Sequence, residues 1–596
     1  MYAKLPDQRS IRLLDITPGQ TADVVEVKLL VVNDLGNAPD FEALSYVWGA
    51  AENPVEIICN TEVVSVTQNL SGALRRLRQA DNTRRVWIDA LCINQKDLGE
   101  RAQQVSFMRE IYSRAKRVVI WLGPDNGLAA KAISVITYAS NYTRERSRKV
   151  PTDEVLFERE DDPDFNTHGE IPPQAHADWN AVWWFYKMEW FSRVWIIQEV
   201  AQDPKADMLI GDISVPWMAV ADAALFFRAK HYAESPQDAE NLVQAMIVTA
   251  TIVSWDHVPP LLNVISRFSN FNASNVRDKL FAVIGLSQEG QNLKEYPLIQ
   301  PDYRKSIVET FTDLVTHLIS VPRGREFGEG GLDVLGRNEI SRMTEPTSTP
   351  TLAFTNGNIL ETNDEQTFPS WVPRFDKQVP WCNSLSARDQ ALSWATSYDS
   401  AVERLSHPSP TRLILRGIRI TTIKNAYSSP EYYDRSKPGF MAHSPAVSAL
   451  YKRVIKDLPS YQGPDSIGEA FAQTITAGRI SGSSNDVFHE AQLKKFLEFE
   501  ETGVQNFESF HIHNVTRSLP GYFMFVTDDD HVGIGARAQP GDEIWVLFGG
   551  RVLYILRPCD GHLSFVGECY VHGYMNGEGM EMWKSGKLKS EYANLQ

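Results

Sequence analysis

Two apolar runs on either side of one amphipathic stretch constrain the fold of this chain more than any other feature. The first run is residues 86–88, and the second is 117–124 ("RVVIWLGP"). The stretch between them, 100–115, carries its apolar residues on one helical face, namely Val105, Met108, Ile111, Tyr112 and Ala115. A strand, a helix and a strand at this spacing favour a right-handed parallel crossover. The sequence therefore predicts an α/β fold built on a doubly wound parallel sheet.

Residues 1–215 continue this alternation of strands and helices and are predicted to form one domain. Its further elements are strands at 25–32 and 41–49, a hairpin at 55–66 and a helix at 69–80. A charged, proline-rich segment at 144–177 breaks the pattern and is predicted to be an exposed surface insertion. Ligands of open α/β sheets bind at the carboxyl ends of the strands, so any functional site is expected there.

Three further regions are predicted after this domain. Residues 216–330 are mainly helical in pattern, 331–410 read as a linker and irregular segment, and 411–596 form a β-rich domain. Within the last region, Gly549 and Gly550 separate two apolar runs and predict a two-residue hairpin turn.

Composition and missing motifs exclude several classes of protein. The formal net charge of −16 argues against sequence-independent nucleic-acid binding, which needs a concentrated basic surface. The longest strongly apolar stretch, 242–255, is too short to span a bilayer, and the N-terminus lacks the apolar core of a signal peptide. The five cysteines show no metal-ligand spacing and fit a reducing compartment. P-loop, GxSxG, HExxH and GxGxxG patterns are absent. We therefore expect a cytoplasmic protein without a nucleic-acid partner, a membrane span or a bound metal.

Three clusters of polar and aromatic side chains are predicted to reach the carboxyl edge of the sheet. They are Ser45, Tyr46, Trp48 and Gly49; Asp89, Cys92, Asn94 and Gln95; and Arg193, Trp195, Gln198 and Glu199. Each cluster also has a purely structural interpretation. The hydroxyl groups of the first cluster fit a strand end whose polar groups are satisfied. In the second cluster the carboxylate and an amide are good helix caps, and the thiol is typical of a small buried residue.

Glu199 lies in an apolar stretch and allows two interpretations. Its carboxylate either pairs with Arg193 or Arg117, or is held at a cleft with a shifted pKa. Residue chemistry alone favours the ion pair, because an unpaired buried charge is costly.

Three blocks of the sequence resemble, in this order, the blocks of the fungal heterokaryon incompatibility (HET) domain. They are "FEALSYVWG" (41–49), "RVWIDALCINQKDLGERAQQVSFMREIYSRAKRVVIWLGP" (85–124) and "FSRVWIIQEVAQ" (191–202). Later stretches, among them "VRDKLFAVIGL" (276–286) and "PDYRKS" (301–306), resemble those that follow this domain in its stand-alone members. The HET domain is in turn distantly similar to the TIR domain, a flavodoxin-like fold. Enzymatic TIR domains carry a Trp four residues before the Glu needed for NAD cleavage, and Trp195 and Glu199 match that pair.

The resemblance implies a fungal protein of non-self recognition and regulated cell death, with residues 1–215 as the effector and the remainder as a regulatory region. It implies Glu199 as the catalytic residue, NAD as a substrate, and no required cofactor. The ligand-facing wall would be formed by Ser45, Tyr46, Trp48, Asp89, Asn94, Gln95 and Trp195. Self-association through the TIR-like domain and an incompatibility partner protein are expected. Two other functions stay open: a non-catalytic signalling scaffold, and an accessory protein encoded with a fungal secondary-metabolite pathway.

Overall fold

The computed structural model describes most of the chain in seven stretches. They are 2–147, 178–229, 258–320, 368–375, 396–428, 446–475 and 522–596, with short gaps inside them, and the isolated positions 477 and 493–494. The chain divides into two compact units, Met1–Lys305 and Ser306–Gln596. Most of the predicted insertion (148–177) and of the predicted linker (331–367), and the apolar stretch 242–255, lie outside the described residues.

A nine-stranded sheet forms the centre of the first unit. In chain order its strands are β1 (Ile11–Ile16), β2 (Glu26–Val32), β3 (Glu42–Tyr46), β4 (Val55–Cys59), β5 (Glu62–Val66), β6 (Arg84–Trp87), β7 (Val118–Gly123), β8 (Ala206–Ile210) and β9 (Ile213–Pro216). In the sheet they lie in the order β5-β4-β2-β1-β6-β3-β7-β8-β9.

This sheet combines a parallel block of four strands and a parallel β2–β4 pair with several antiparallel pairs. Strands β6, β3, β7 and β8 are successive parallel neighbours, which confirms the α/β crossover that the sequence predicts. Strand β1, however, runs antiparallel to both β2 and β6, and the pairs β4–β5 and β8–β9 are antiparallel hairpins. The sheet is therefore mixed, and the prediction of a doubly wound parallel sheet holds only for its central strands.

Ten helices belong to the described part of the first unit. They are α1 (Gln68–Leu77), α2 (Asp89–Cys92), α3 (Leu98–Ser106), α4 (Met108–Arg114), α5 (Ala129–Ser147), α6 (Trp179–Tyr186), α7 (Ile196–Val200), α8 (Trp217–Ala229), α9 (Leu261–Arg267) and α10 (Asp278–Ile284). The single helix predicted at 100–115 is two helices, because Phe107 has the non-helical angles φ −127° and ψ 20°. The described residues of this unit also contain short 3₁₀ turns at Leu35–Asn37, Glu189–Ser192, Glu289–Asn292 and Pro297–Ile299.

The tryptophan-rich stretch after position 178 forms aromatic core, as its composition predicts. Trp179 stacks on Trp183 with ring centroids 5.1 Å apart, and Trp190 meets Trp217 edge-on at 5.5 Å. Trp190 is 1% exposed and Phe191 is fully buried. This cluster fixes the entry to α7, the short helix that carries Glu199.

The second unit is built on an antiparallel sheet, which confirms the prediction of a β-rich C-terminal region. Its strands are β10 (Arg404–Leu405), β11 (Leu413–Ser428), β12 (Tyr522–Thr527), β13 (Val532–Ala536), β14 (Glu543–Leu547), β15 (Leu553–Cys559), β16 (His562–Val571) and β17 (Ser590–Leu595). Strands β11, β12, β13, β16, β15 and β14 are successive neighbours, and β14 pairs back with β11. This last pairing closes the sheet into a barrel. Helices α11 (Ile307–Ser320), α12 (Ala446–Lys456), α13 (Ile467–Ile475) and α14 (Glu578–Lys584) accompany it.

The turn between β14 and β15 corrects the two-residue hairpin predicted at Gly549 and Gly550. The ladder of these strands starts only at the pair Trp545–Tyr554, so the connection is longer than two residues. Instead, the Gly550 N–H donates to the Leu547 carbonyl (2.9 Å), and Gly549 adopts φ +89°. In the described part of the chain, no helix has both the length and the apolar character needed to cross a membrane.

Candidate functional site

The carboxyl ends of β3 and β6 bring the first two predicted clusters together. The two strands are parallel neighbours, with Ala43 opposite Trp87. Ser45 is the penultimate residue of β3, and Asp89 follows the last residue of β6 by two positions. Parallel strands end at a common edge of the sheet, so the two residues lie at the edge where the sequence predicts a site.

Glu199, carried by the short helix α7, joins the same edge of the sheet. The Ser45 Oγ–H donates to Glu199 Oε2, although 154 residues separate the two positions. The Trp190 indole N–H donates in turn to Ser45 Oγ at 2.7 Å. Ser45 is 1% exposed and Glu199 is 3% exposed. Indole, hydroxyl and carboxylate therefore form one buried hydrogen-bonded chain, which we call the Trp190–Ser45–Glu199 chain.

Burial sets the electrostatics of Glu199. It raises the pKa of this carboxyl to about 7, against the opposing effects of the Arg193 charge and the Ser45 hydrogen bond. The ion pair that residue chemistry favours does not form among the described residues. The Arg193 guanidinium donates to the Tyr46 carbonyl instead, and Arg117 pairs with Glu42 and Asp207. Arg117 is tied to those carboxylates, so the predicted pairing with it is wrong.

Asp89 faces the same edge with a different set of partners. Its Oδ2 accepts from the Trp48 indole N–H at 2.9 Å, and its Oδ1 accepts from the Ala90 N–H at 2.7 Å. The Gln95 side chain donates to the Asp89 carbonyl at 2.9 Å and so braces the turn. Loss of solvent around the Asp89 carboxyl raises its pKa, while the Arg193 charge opposes that rise.

The helix-cap interpretation of the second cluster is wrong. Asp89 is the first helical residue of α2, whose N-cap is Ile88, and the cap of α3 is Asp97. The Asp97 side chain accepts from the N–H groups of the two residues after Leu98. Asn94 instead accepts from the Lys96 N–H at 3.3 Å, within its own turn.

Cys92 is a packed thiol, which confirms its structural interpretation. It is 1% exposed, and its sulfur accepts from the Ile88 N–H at 3.4 Å. Burial raises the pKa of the thiol to about 12, so it stays protonated at neutral pH and is a poor nucleophile.

A small cavity of about 180 Å³ lies beside this edge. Its walls are Tyr2, Tyr46, Trp48, Val64, Ser65, Val66, Thr67, Leu70, Ala90 and Leu91. Successive residues of a strand point to opposite faces, so Tyr46 faces the cavity and α1 while Ser45 faces Glu199. The predicted ligand wall is therefore divided between two faces of the sheet.

Trp195 also lies away from this cavity. Its indole N–H donates to Asp278 Oδ2 at 3.2 Å, and Asp278 accepts at Oδ1 from the Tyr303 hydroxyl at 2.8 Å. Sequence reasoning missed these two partners and also the role of Trp190. The only signal for Asp278 and Tyr303 was that they belong to the blocks 276–286 and 301–306, which resemble the stretches that follow a HET domain. In the described residues, no group of three or more His, Cys, Asp and Glu side chains is arranged to hold a metal ion.

Comparisons with known proteins fit both units of the chain. Residues 41–199 match the model of the family "Heterokaryon incompatibility protein (HET)", and residues 446–585 match that of the "Het-6 beta-barrel domain". The chain is similar to Heterokaryon incompatibility protein 6, OR allele, of Neurospora crassa. The two are 23% identical over an alignment of 687 residues, which covers 95% of this chain and 94% of that protein. No solved structure matches the chain. These likenesses support a fungal protein with a HET domain.

Proposed function

We propose that this chain is a heterokaryon incompatibility protein that acts in fungal non-self recognition and promotes regulated cell death. The observation that carries the proposal is the order of two matched segments, HET at 41–199 and Het-6 barrel at 446–585, in a chain that aligns along its length with a protein of that name. In this proposal the first unit is the effector. The second unit senses an incompatibility partner, and the effector self-associates when it is triggered.

For the chemistry of the effector, we propose hydrolysis of the bond between nicotinamide and ribose in NAD. The bond electrons leave with the ring nitrogen, so the departing nicotinamide is neutral and needs no strong general acid. Water adds to the ribose carbon, and the products are nicotinamide, ADP-ribose and a proton. The ionised Glu199 carboxylate stabilises the positive charge that develops on the ribose. Support comes from a carboxyl that has a pKa of about 7 and no ion pair among the described residues.

One observation favours a second candidate, a non-catalytic scaffold. Glu199 is 3% exposed, and the Ser45 hydroxyl donates to its carboxylate. A buried carboxylate with this hydrogen bond can hold α7 to β3 in the absence of any substrate. Catalysis requires the Trp190–Ser45–Glu199 chain to open so that a ribose can reach the carboxylate.

Nicotinamide release from NAD by the purified full chain tests the chemistry. The enzyme proposal expects release by the wild type and a loss on the order of 10²- to 10³-fold in Glu199→Gln. The matched control is Glu56→Gln, which neutralises an exposed carboxylate on β4 of the same unit and should keep the wild-type rate. Absence of release, combined with cell death on expression of both the wild type and Glu199→Gln in a fungal host, would favour the scaffold.

A further inference from the structure

The helix that carries Glu199 is too short to hold its own position. Helix α7 spans five residues, Ile196–Val200, whereas isolated helices shorter than about 12 residues are marginal in water. Its orientation must therefore come from tertiary contacts. One contact is the Ser45 hydrogen bond to Glu199 itself, helix α4 packs against α7 as well, and further contacts come from residues 272–303 of the same unit.

Three contacts tie this helix to the later segment. The Val194 N–H donates to the Asn272 carbonyl at 2.9 Å. The Gln198 side chain donates to the Phe281 carbonyl at 3.3 Å. The Trp195 indole donates to Asp278, the first residue of α10, at 3.2 Å. Among these, the contact to Asp278 is a charge-assisted hydrogen bond whenever that carboxylate is ionised.

Trp195 transmits this contact directly to Glu199. The Trp195 carbonyl accepts from the backbone N–H groups of Gln198 at 3.1 Å and of Glu199 at 3.3 Å, and these hydrogen bonds belong to the start of the helical turn. A shift of the indole therefore moves the start of the turn, and the carboxylate moves with it. No side chain intervenes between the anchor and the turn.

Asp278 is itself held in place from its other side. It is 4% exposed, and the Tyr303 hydroxyl donates to its Oδ1 at 2.8 Å. The Arg101 guanidinium from α3 lies 3.8 Å over the Tyr303 ring, and Arg277 donates to the Tyr303 carbonyl at 2.7 Å. Asp278 is thus connected, through Tyr303, to helix α3.

We propose that Asp278 is a positioning residue for Glu199: by holding the Trp195 indole, it fixes the turn that places the Glu199 carboxylate against Ser45. The functional meaning of that placement rests on the proposed function of Glu199, but the placement does not. The positioning role of Asp278 also explains the blocks at 276–286 and 301–306, because Asp278 and Tyr303 belong to them.

The test follows the ionisation of Glu199, which a merely structural residue would leave unchanged. Infrared difference spectra of full-length chains, with and without Glu199→Gln, isolate the signal of the protonated Glu199 carboxyl across a pH series. The charged and titratable groups around this carboxyl are Arg193, Asp89, Tyr46 and Tyr112, and they are the same in all variants. The midpoint of the wild type is expected near pH 7.

Two variants each remove one hydrogen bond to the Asp278 carboxylate. Trp195→Phe removes the bond on the side of α7, and Tyr303→Phe removes the bond on the far side. The proposal expects Trp195→Phe to lower the Glu199 midpoint by about one pH unit or more, since a displaced carboxylate gains solvent. It expects Tyr303→Phe to leave the midpoint in place. Asp278→Asn should follow Trp195→Phe, and if it fails to fold, the Trp195 and Tyr303 pair still decides.

Equal midpoints in the wild type and Trp195→Phe would overturn the positioning role. Equal shifts of the Glu199 midpoint in Trp195→Phe and Tyr303→Phe would also overturn it, because both substitutions would then act only by destabilising the region as a whole. If the wild type releases nicotinamide, Trp195→Phe should release it at least about tenfold more slowly, as expected for a displaced catalytic group. If it releases none, the NAD proposal fails, while the midpoints still test Asp278.

Discussion

The pH dependence of stability is the most direct test of the state of Glu199. Burial raises its pKa from 4.5 to about 7, whereas in the unfolded chain the carboxyl has its ordinary value. Between these two values the unfolded chain has released the proton and the folded chain still holds it. Stability therefore falls as pH rises through this window, because the folded state binds more protons than the unfolded state. Below the window the stabilising effect is fully present, and above about pH 7 it is lost.

The magnitude follows from the width of the window. It spans roughly 2.5 pH units, each worth about 1.4 kcal/mol, so Glu199 alone removes about 3 kcal/mol of stability between pH 4.5 and pH 7. Glutamine cannot ionise, so Glu199→Gln should lack this loss. Between pH 5 and pH 8, which contain about two of these pH units, the difference in unfolding free energy between the two proteins should then shift by about 2.5 kcal/mol in favour of the variant.

Urea denaturation of the full chain, followed by tryptophan fluorescence at several pH values, measures this difference. The transition of the unit Met1–Lys305 must respond, and Glu56→Gln on the exposed side of β4 should run parallel to the wild type. Parallel curves for Glu199→Gln and the wild type would refute the reasoning. A difference of opposite sign, with stability gained as pH rises, would reveal an ion pair with Arg193 in solution.

Three other predictions concern the contacts around the site and the barrel. Ser45→Ala strands the Trp190 indole N–H and should lower the unfolding free energy by about 1–3 kcal/mol in urea denaturation; an unchanged value would show that a water replaces the hydroxyl. Arg12 and Glu100, 1% and 9% exposed, pair at 2.5 Å, so Arg12→Met should cost about 3–5 kcal/mol and the double variant with Glu100→Gln should recover part of it. The hydrogen bonds of Asp529 to three hydroxyls and to a histidine lower the pKa of its carboxyl. Its contribution to stability should thus be present above about pH 4 and lost as pH falls further; acid denaturation curves of Asp529→Asn should lack that loss.

The sequence predicts β3, β6 and β7 because each contains or adjoins a run of apolar residues, and it misses β1 because charged residues interrupt that strand. Strand β1 lies between β2 and β6, yet "IRLLDI" contains a charged residue at its second and fifth positions. Arg12 is buried because Glu100, 88 residues away, neutralises it, and Asp15 pairs with Arg85 at 2.7 Å. Neither partner is visible from the local pattern, so the charges argue against a central strand until the fold is known.

The candidate site shows the same division between local and distant information. Ser45 and Glu199 are predictable as chemically notable residues, because each ends or follows an apolar run. Their direct contact is not predictable, since 154 residues separate them and the contact depends on where the fold places α7. Trp190 could only be read as core from its aromatic surroundings, and the core reading is correct. Its indole N–H nevertheless completes the polar chain, because a buried N–H needs an acceptor.

The division of the predicted ligand wall between two sheet faces limits how any ligand can use it. Tyr46 and Trp48 face the cavity, whereas Ser45 and Glu199 lie on the other side of β3. Asp89 stands at the edge between them: it accepts from the Trp48 indole and also raises the pKa values of Tyr46 and Glu199 through its charge. A ligand that occupies the cavity and changes the Trp48–Asp89 hydrogen bond therefore alters the electrostatic potential that Glu199 experiences. Cavity and buried carboxylate are thus coupled electrostatically through Asp89.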